Sequence, residues 1–211
     1  MERTTFSGLQ KLGRAALTLA ALAILALGQD ANPLEEFLPA DALTLAGVSA
    51  DSFANRDEPL RFGLKGADFD VTDPGGVQLR INGAAVSREG LRLTSNEIAA
   101  ANVLADGKNE IAFKAYDTVG RPLYYNATLW AGTALVRVEL IRPDGSPFTE
   151  PAVVTVTLGD NASARALGTT RTGTLEVRNV PAGRLSIEAA SGGKRTVVGV
   201  TETPPLVRLV L

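Results

Sequence analysis

The sequence predicts an all-β protein: two small β-sandwiches in tandem behind an N-terminal export signal. With 21 Gly and 11 Pro in 211 residues, turn formers interrupt the chain too often for long helices. Apolar residues reach 45% while aromatic ones stay at 5%, which suits small, thin cores of Val, Leu and Ala. Between the turns, short segments alternate apolar and polar residues, the period-two pattern of half-buried strands.

The first 28 residues read as a signal peptide. Arg3, Lys11 and Arg14 precede an uncharged run from Ala15 to Leu27. Ala26-Leu27-Gly28 then supplies small residues at the cleavage site, making Gln29 the first mature residue. The run falls short of the ~20 apolar residues that a bilayer span needs, so no permanent membrane span is expected. No Cys follows to carry a lipid. Residues 29–41, with Pro33 and Pro39, read as a leader segment. The expected location is periplasmic, cell-surface or secreted, in a bacterial setting.

Removing residues 1–28 takes away Glu2 and the three cations, leaving 18 cations against 22 anions, a net charge of −4. An acidic chain without clustered Lys and Arg is a poor partner for nucleic acid. Its one basic pair, Lys194-Arg195, reads as part of a turn. The chain has no His and no Cys. Metal sites that lean on imidazole or thiolate are therefore excluded, as are Ser-His-Asp and Cys-His catalysis. A carboxylate pair is the remaining acid–base device. The carboxylates here fall in turns, and two modules this small offer no deep cleft. The expectation is a protein without enzymatic activity, catalytic residues, metal or cofactor.

Element by element, Leu43 to Val48 reads as a first strand with Leu43 and Leu45 inward. Leu60, Phe62 and Leu64 mark a second. Asp73-Pro74-Gly75-Gly76 turns the chain into Val77-Gln78-Leu79-Arg80-Ile81, and Asn82-Gly83 is a hairpin dipeptide because both residues tolerate positive φ. Leu91 to Leu93 is a short strand. Ser95 to Leu104 reads as a short helix with Ser95 as N-cap. After Asp106-Gly107, the residues Ile111, Phe113 and Ala115 face inward on a strand whose return runs from Leu123 to Trp130. The composition then shifts, and Ala131-Gly132-Thr133 marks a boundary between domains at 42–132 and 133–211.

The second domain places Val136, Val138 and Leu140 on one face. Pro143 to Pro147 turns, Val153 to Thr157 is β-branched throughout, and Leu175 to Val177 follows a Thr172-Gly173-Thr174 turn. Leu185, Ile187 and Ala189 form the next inward face, and Thr196 to Val200 and Leu206 to Leu211 complete the set. Seven or so short strands with turns every eight to twelve residues is the pattern of a β-sandwich.

These residues also carry two resemblances. Val136-x-Val138, Asp144-Gly145-x-Pro147, Val154-x-Val156-x-Leu158 and Val180-Pro181-Ala182-Gly183 followed by Leu185-x-Ile187-x-Ala189 make residues 134–211 resemble the carboxypeptidase regulatory-like (transthyretin-like) module. The resemblance implies a seven-stranded sandwich with a structural or binding role and no chemistry of its own. Leu104-Ala105-Asp106-Gly107-Lys108-Asn109-Glu110-Ile111, continuing through Phe113, Ala115, Asp117 and Gly120-Arg121, is similar to the penultimate strand and hairpin of bacterial Ig-like domains. That resemblance covers residues 42–132 and implies fold, not catalysis.

Two groups stand out. Asp68, Asp70 and Asp73 precede a Gly-Gly turn and offer oxygen ligands for a cation such as calcium. They lack the full ligand ladder of a calcium loop, so a solvated acidic loop without a tight site is expected. Tyr116, Tyr124 and Tyr125, with Trp130, are the candidate ligand-binding residues, as a platform for sugar or peptide. Core and cross-strand packing is the plainer use of such residues. Adjacent Tyr124 and Tyr125 must point to opposite faces of a strand. The functional expectation is an exported binding or structural protein of the cell envelope or surface. It would engage an envelope or extracellular protein through loops or edge strands, and the alternative is a carbohydrate-binding accessory module that takes polysaccharide.

Overall fold

The computed structural model describes residues 42–49, 51–73, 75–159 and 161–211. The signal peptide, its cleavage site and the leader segment expected over 1–41 lie outside the described residues. Nine strands form before Thr133: β1 (Leu43–Ala46), β2 (Ala54–Asn55), β3 (Leu60–Leu64), β4 (Gln78–Ile81), β5 (Ala84–Ala85), β6 (Leu91–Leu93), β7 (Glu97–Ala100), β8 (Gly107–Tyr116) and β9 (Pro122–Gly132). Seven follow it: β10 (Ala134–Ile141), β11 (Ala152–Leu158), β12 (Arg165–Thr170), β13 (Thr174–Val180), β14 (Leu185–Ser191), β15 (Lys194–Val200) and β16 (Leu206–Val210). The protein is all-β. Among the described residues no helix is long and apolar enough to cross a membrane.

The first nine strands make two sheets, β1-β3-β7-β6 and β2-β9-β8-β4-β5. In immunoglobulin terms the first is A-B-E-D and the second places G beside F, C and C′, so the topology is Ig-like. The sheets meet over Phe62, which stacks on Phe113 with ring centroids 4.1 Å apart, while Phe69 meets Phe113 edge-on at 6.3 Å. Leu79, Ile81, Ile98, Ile111 and Ala115 fill the space between. The predicted alternation holds through β4 and β8, and Asn82 and Gly83 adopt positive φ between β4 and β5. Leu43 and Leu45 are half-buried.

The last seven strands make a second sandwich from β13-β10-β16 and β12-β11-β14-β15, with β16 running parallel to β10. Val136, Val138, Val154, Val156, Leu185, Ile187 and Leu209 form its core. The inward faces predicted over β10 and β14 are the buried ones.

Two sequence expectations are corrected, and one strand appears that the sequence reading did not include. Residues 95–104 form no helix. Ile98, Ala99 and Ala100 belong to β7, where Ile98 lies opposite Phe62 and is fully buried between β3 and β6. Two alanines favour a helix locally, but pairing on both sides and burial of three consecutive residues outweigh that preference. Ser95 is not a cap; its carbonyl accepts the Phe69 amide at 2.6 Å. Arg165–Thr170 is a strand that the alternation does not reveal, because Gly168 sits at its centre, where an added Cβ would lie 2.7 Å from Leu175. Lys194 and Arg195 open β15, and the turn is made by Gly192 and Gly193.

The two sandwiches are joined by more than the chain at Thr133. Phe53, just before β2, is 3% exposed and belongs to the core of the second sandwich, and Trp130 packs against that core. The Asp51 carbonyl accepts the Leu167 amide at 3.0 Å, its carboxylate pairs with Arg165 at 3.4 Å, and Asp106 accepts the Ala182 amide at 3.0 Å. A Cβ on Gly132 would lie 2.4 Å from the Val180 carbonyl oxygen, so only glycine permits this approach. The described residues from Ala42 to Leu211 pack as one compact unit.

Candidate interaction edge and aromatic face

The motif from Asp106 to Arg121 builds the frame of the site. Asn109 at the start of β8 is fully buried. Its Oδ1 accepts the Ala105 amide at 2.8 Å and its Nδ2 donates to the carbonyls of Ala105 and Gly107 at 2.8 and 3.1 Å. At the other end of β8, buried Asp117 accepts the amides of Val119 and Arg121 at 3.1 and 2.7 Å and pairs with Arg121 Nε at 2.6 Å. Gly120 takes φ 85° in this turn. Both polar side chains serve the backbone. They fix the two ends of the β8–β9 hairpin, which pairs without a bulge from Gly107↔Ala131 to Tyr116↔Pro122.

That register separates the candidate tyrosines. Tyr124 lies opposite Lys114 and points outward, 63% exposed, with the Lys114 ammonium 5.9 Å from its ring and 5.2 Å from that of Tyr116. Tyr116 and Tyr124 therefore share the outer face. Below them the small Ala112 leaves a shallow groove flanked by Arg80, Glu110, Asn126 and Thr128. Lys108 donates to Glu110 at 2.6 Å and holds that carboxyl below its ordinary value. Tyr125 faces the other way. Its ring meets Phe62 edge-on at 5.8 Å, and burial pushes its phenol up from the ordinary value. Tyr116, Tyr124 and Tyr125 are not one patch.

Tyr125 belongs instead to the free edge of β9. On one side β9 pairs with β8 over its length; on the other, β2 reaches only Ala131 and Gly132. Among the described residues, β2 is the one strand on the outer edge of β9, and no backbone partner pairs that edge from Leu123 to Leu129. Beside this edge lies a cleft of about 270 Å³ lined by Ser52, Phe53, Tyr125, Ala127, Trp130 and Arg165, among others. Within the described residues neither the Tyr125 hydroxyl nor the Trp130 indole N–H makes a hydrogen bond. Sheet edges are normally protected by charge, proline, bulges or shortness. The other edge strands longer than four residues follow that rule: Arg165 on β12, Glu176 and Arg178 on β13, Lys194 and Arg195 on β15, and Arg208 on β16. None of the eleven residues of β9 is charged. The strand was legible in sequence; its position at an edge was not.

The acidic loop is occupied with its own turns. Asp70 accepts the Thr72 amide and hydroxyl at 2.9 and 2.6 Å, Asp73 accepts the Gly75 amide at 2.9 Å, and the Asp68 carbonyl accepts the Thr118 amide at 3.0 Å. The Thr72 hydroxyl, then its amide, hold the Asp70 carboxyl below its ordinary value. Among the described residues no three metal-ligating side chains gather.

Fold and edge together define an Ig-like β-sandwich protein in which, among the described residues, the edge of β9 carries no charge and no strand beyond β2. No protein-family model matches the chain, and no curated protein matches it by sequence. Solved structures give distant likenesses. The major pilin subunit of Bacillus cereus is 12% identical at TM-score 0.28, covering 80% of this chain and 68% of that one. The group B streptococcus pilus 2b backbone protein is 7% identical at TM-score 0.30, covering 81% and 96%. The Bacteroides ovatus protein SGBP-B of a mixed-linkage glucan utilization locus is 10% identical at TM-score 0.25, covering 77% and 44%. All are remote in sequence and superposition, so function is read from this chain's own geometry.

Proposed function

We propose that the chain is an exported, non-enzymatic binding module of the cell envelope or surface, and that the edge of β9 accepts an extended strand from a protein. The observation that carries this reading is the uncharged, bulge-free edge from Leu123 to Leu129, unpaired among the described residues. Strand addition supplies affinity through main-chain hydrogen bonds and specificity through pockets for alternate side chains. The cleft between Phe53, Tyr125 and Trp130 is such a pocket. The second sandwich acts as a spacer fixed to the first. Its seven strands and its Val180-Pro181-Ala182-Gly183 turn favour the carboxypeptidase regulatory-like assignment, with Thr133 as the boundary between the two modules. Affinity capture from the native envelope tests the reading with the chain and its Asn126→Lys variant, which adds a charge to an exposed edge position. A protein strand donor held by the first and lost by the second is expected. Equal capture by both would remove the edge from consideration.

A second reading rests on the outer face, where Tyr116, Lys114 and exposed Tyr124 stand at one end of the groove over Ala112. An aromatic ring beside Arg, Asn and Thr side chains suits a sugar. Retention on polysaccharide affinity gels that Tyr124→Ala abolishes would favour this reading; retention by neither form would end it.

A further inference from the structure

We infer that the strand taken up by the β9 edge is β9 of a second copy, so that the chain forms a two-fold dimer through a continuous sheet. The inference rests on the strand-addition reading and names its occupant. An antiparallel pair about a two-fold axis at Asn126 sets Tyr125 opposite the small Ala127 of the other copy, Tyr124 opposite Thr128, Leu123 opposite Leu129, and Pro122 opposite Trp130. Each bulky residue meets a smaller or apolar one on the same face. No like charges face one another, which is the usual obstacle to self-pairing of an edge. Inward residues meet inward residues, so the register keeps Leu123, Tyr125, Ala127 and Leu129 on the core side of both copies. A two-fold axis at Tyr125 would set two half-buried rings against each other. At Asn126 the opposed side chains are exposed carboxamides able to hydrogen-bond across the axis.

The test uses the full chain, whose lack of cysteine makes single-cysteine variants unambiguous. Opposed Cα atoms in an antiparallel pair lie about 4.5–5.5 Å apart, within disulfide reach. Asn126→Cys therefore links to itself on mild oxidation. Tyr124→Cys does not, because its two copies are four residues out of register, about 13 Å apart. Sedimentation of the unmodified chain is expected to give twice the mass of one chain. Asn126→Lys and Thr128→Lys, both at exposed positions, are expected to give a single chain mass with an unchanged β-rich spectrum. A monomeric unmodified chain, or linking through Tyr124→Cys as fast as through Asn126→Cys, overturns the inference. If the unmodified chain is monomeric yet Asn126→Lys still loses a captured envelope protein, self-pairing falls while strand addition stands. If capture is also unaffected, both fall.

Discussion

Asn109 and Asp117 are both fully buried polar side chains, and each makes most of its hydrogen bonds to backbone groups at one end of β8. Removing Asp117 strands the amides of Val119 and Arg121 and takes one carboxylate partner from Arg121, so Asp117→Ala is expected to cost about 3 kcal/mol in denaturant unfolding. Asn109→Ala is expected to cost a similar ~3 kcal/mol, since the Ala105 amide and carbonyl lose their partner together. Acid sensitivity sits at this scale too. Hydrogen bonds from Thr72 and Ser146 hold the carboxyls of Asp70 and Asp144 below the ordinary 3.8. A carboxyl lowered in the folded state contributes stability above its unfolded value and loses it as pH falls through its folded value. Melting temperatures of the chain and of Thr72→Val should therefore differ at neutral pH and converge in strong acid. A constant gap would contradict that assignment. The sequence displayed Asn109 and Asp117 within a recognisable run, but burial is a property of the packed sheets and no local pattern announces it.

Elements were legible where one face of a strand is buried and the other wet. β3, β4, β8, β10 and β14 alternate cleanly, and their inward residues are the core. β7 failed because it lies between β3 and β6 and buries three residues in a row, leaving no alternation to read. β12 failed because Gly168 makes room for Leu175 at the point where a strand pattern needs a side chain. As a strand centre facing Phe62, Ile98 is expected to cost about 3 kcal/mol when cut to Ala, read from the shift of the urea midpoint. A near-neutral result would contradict its place in the core. The candidate tyrosines divide for the same kind of reason. Neighbours on a strand face opposite ways, so Tyr124 joined Tyr116 on the outer face while Tyr125 turned toward Phe62.

At the scale of the whole molecule, the chain connection at Thr133 is reinforced by Phe53, Asp51, Asp106 and the close approach at Gly132. Heating should therefore unfold the two sandwiches in one cooperative transition. Phe53→Ala, which empties a core position, should cost about 3–5 kcal/mol and split that transition in calorimetry. A single transition at unchanged temperature would show the junction to be incidental. Held in this way, the first sandwich presents β9 beside a cleft that both sandwiches line. A photo-crosslinker placed in turn at Tyr124, Asn126 and Thr128, and at Val153 and Thr169 on the outer face of the second sandwich, tests that arrangement in the producing cell. The account predicts protein adducts from the three β9 positions and none from the other two. Adducts confined to Val153 and Thr169 would contradict it.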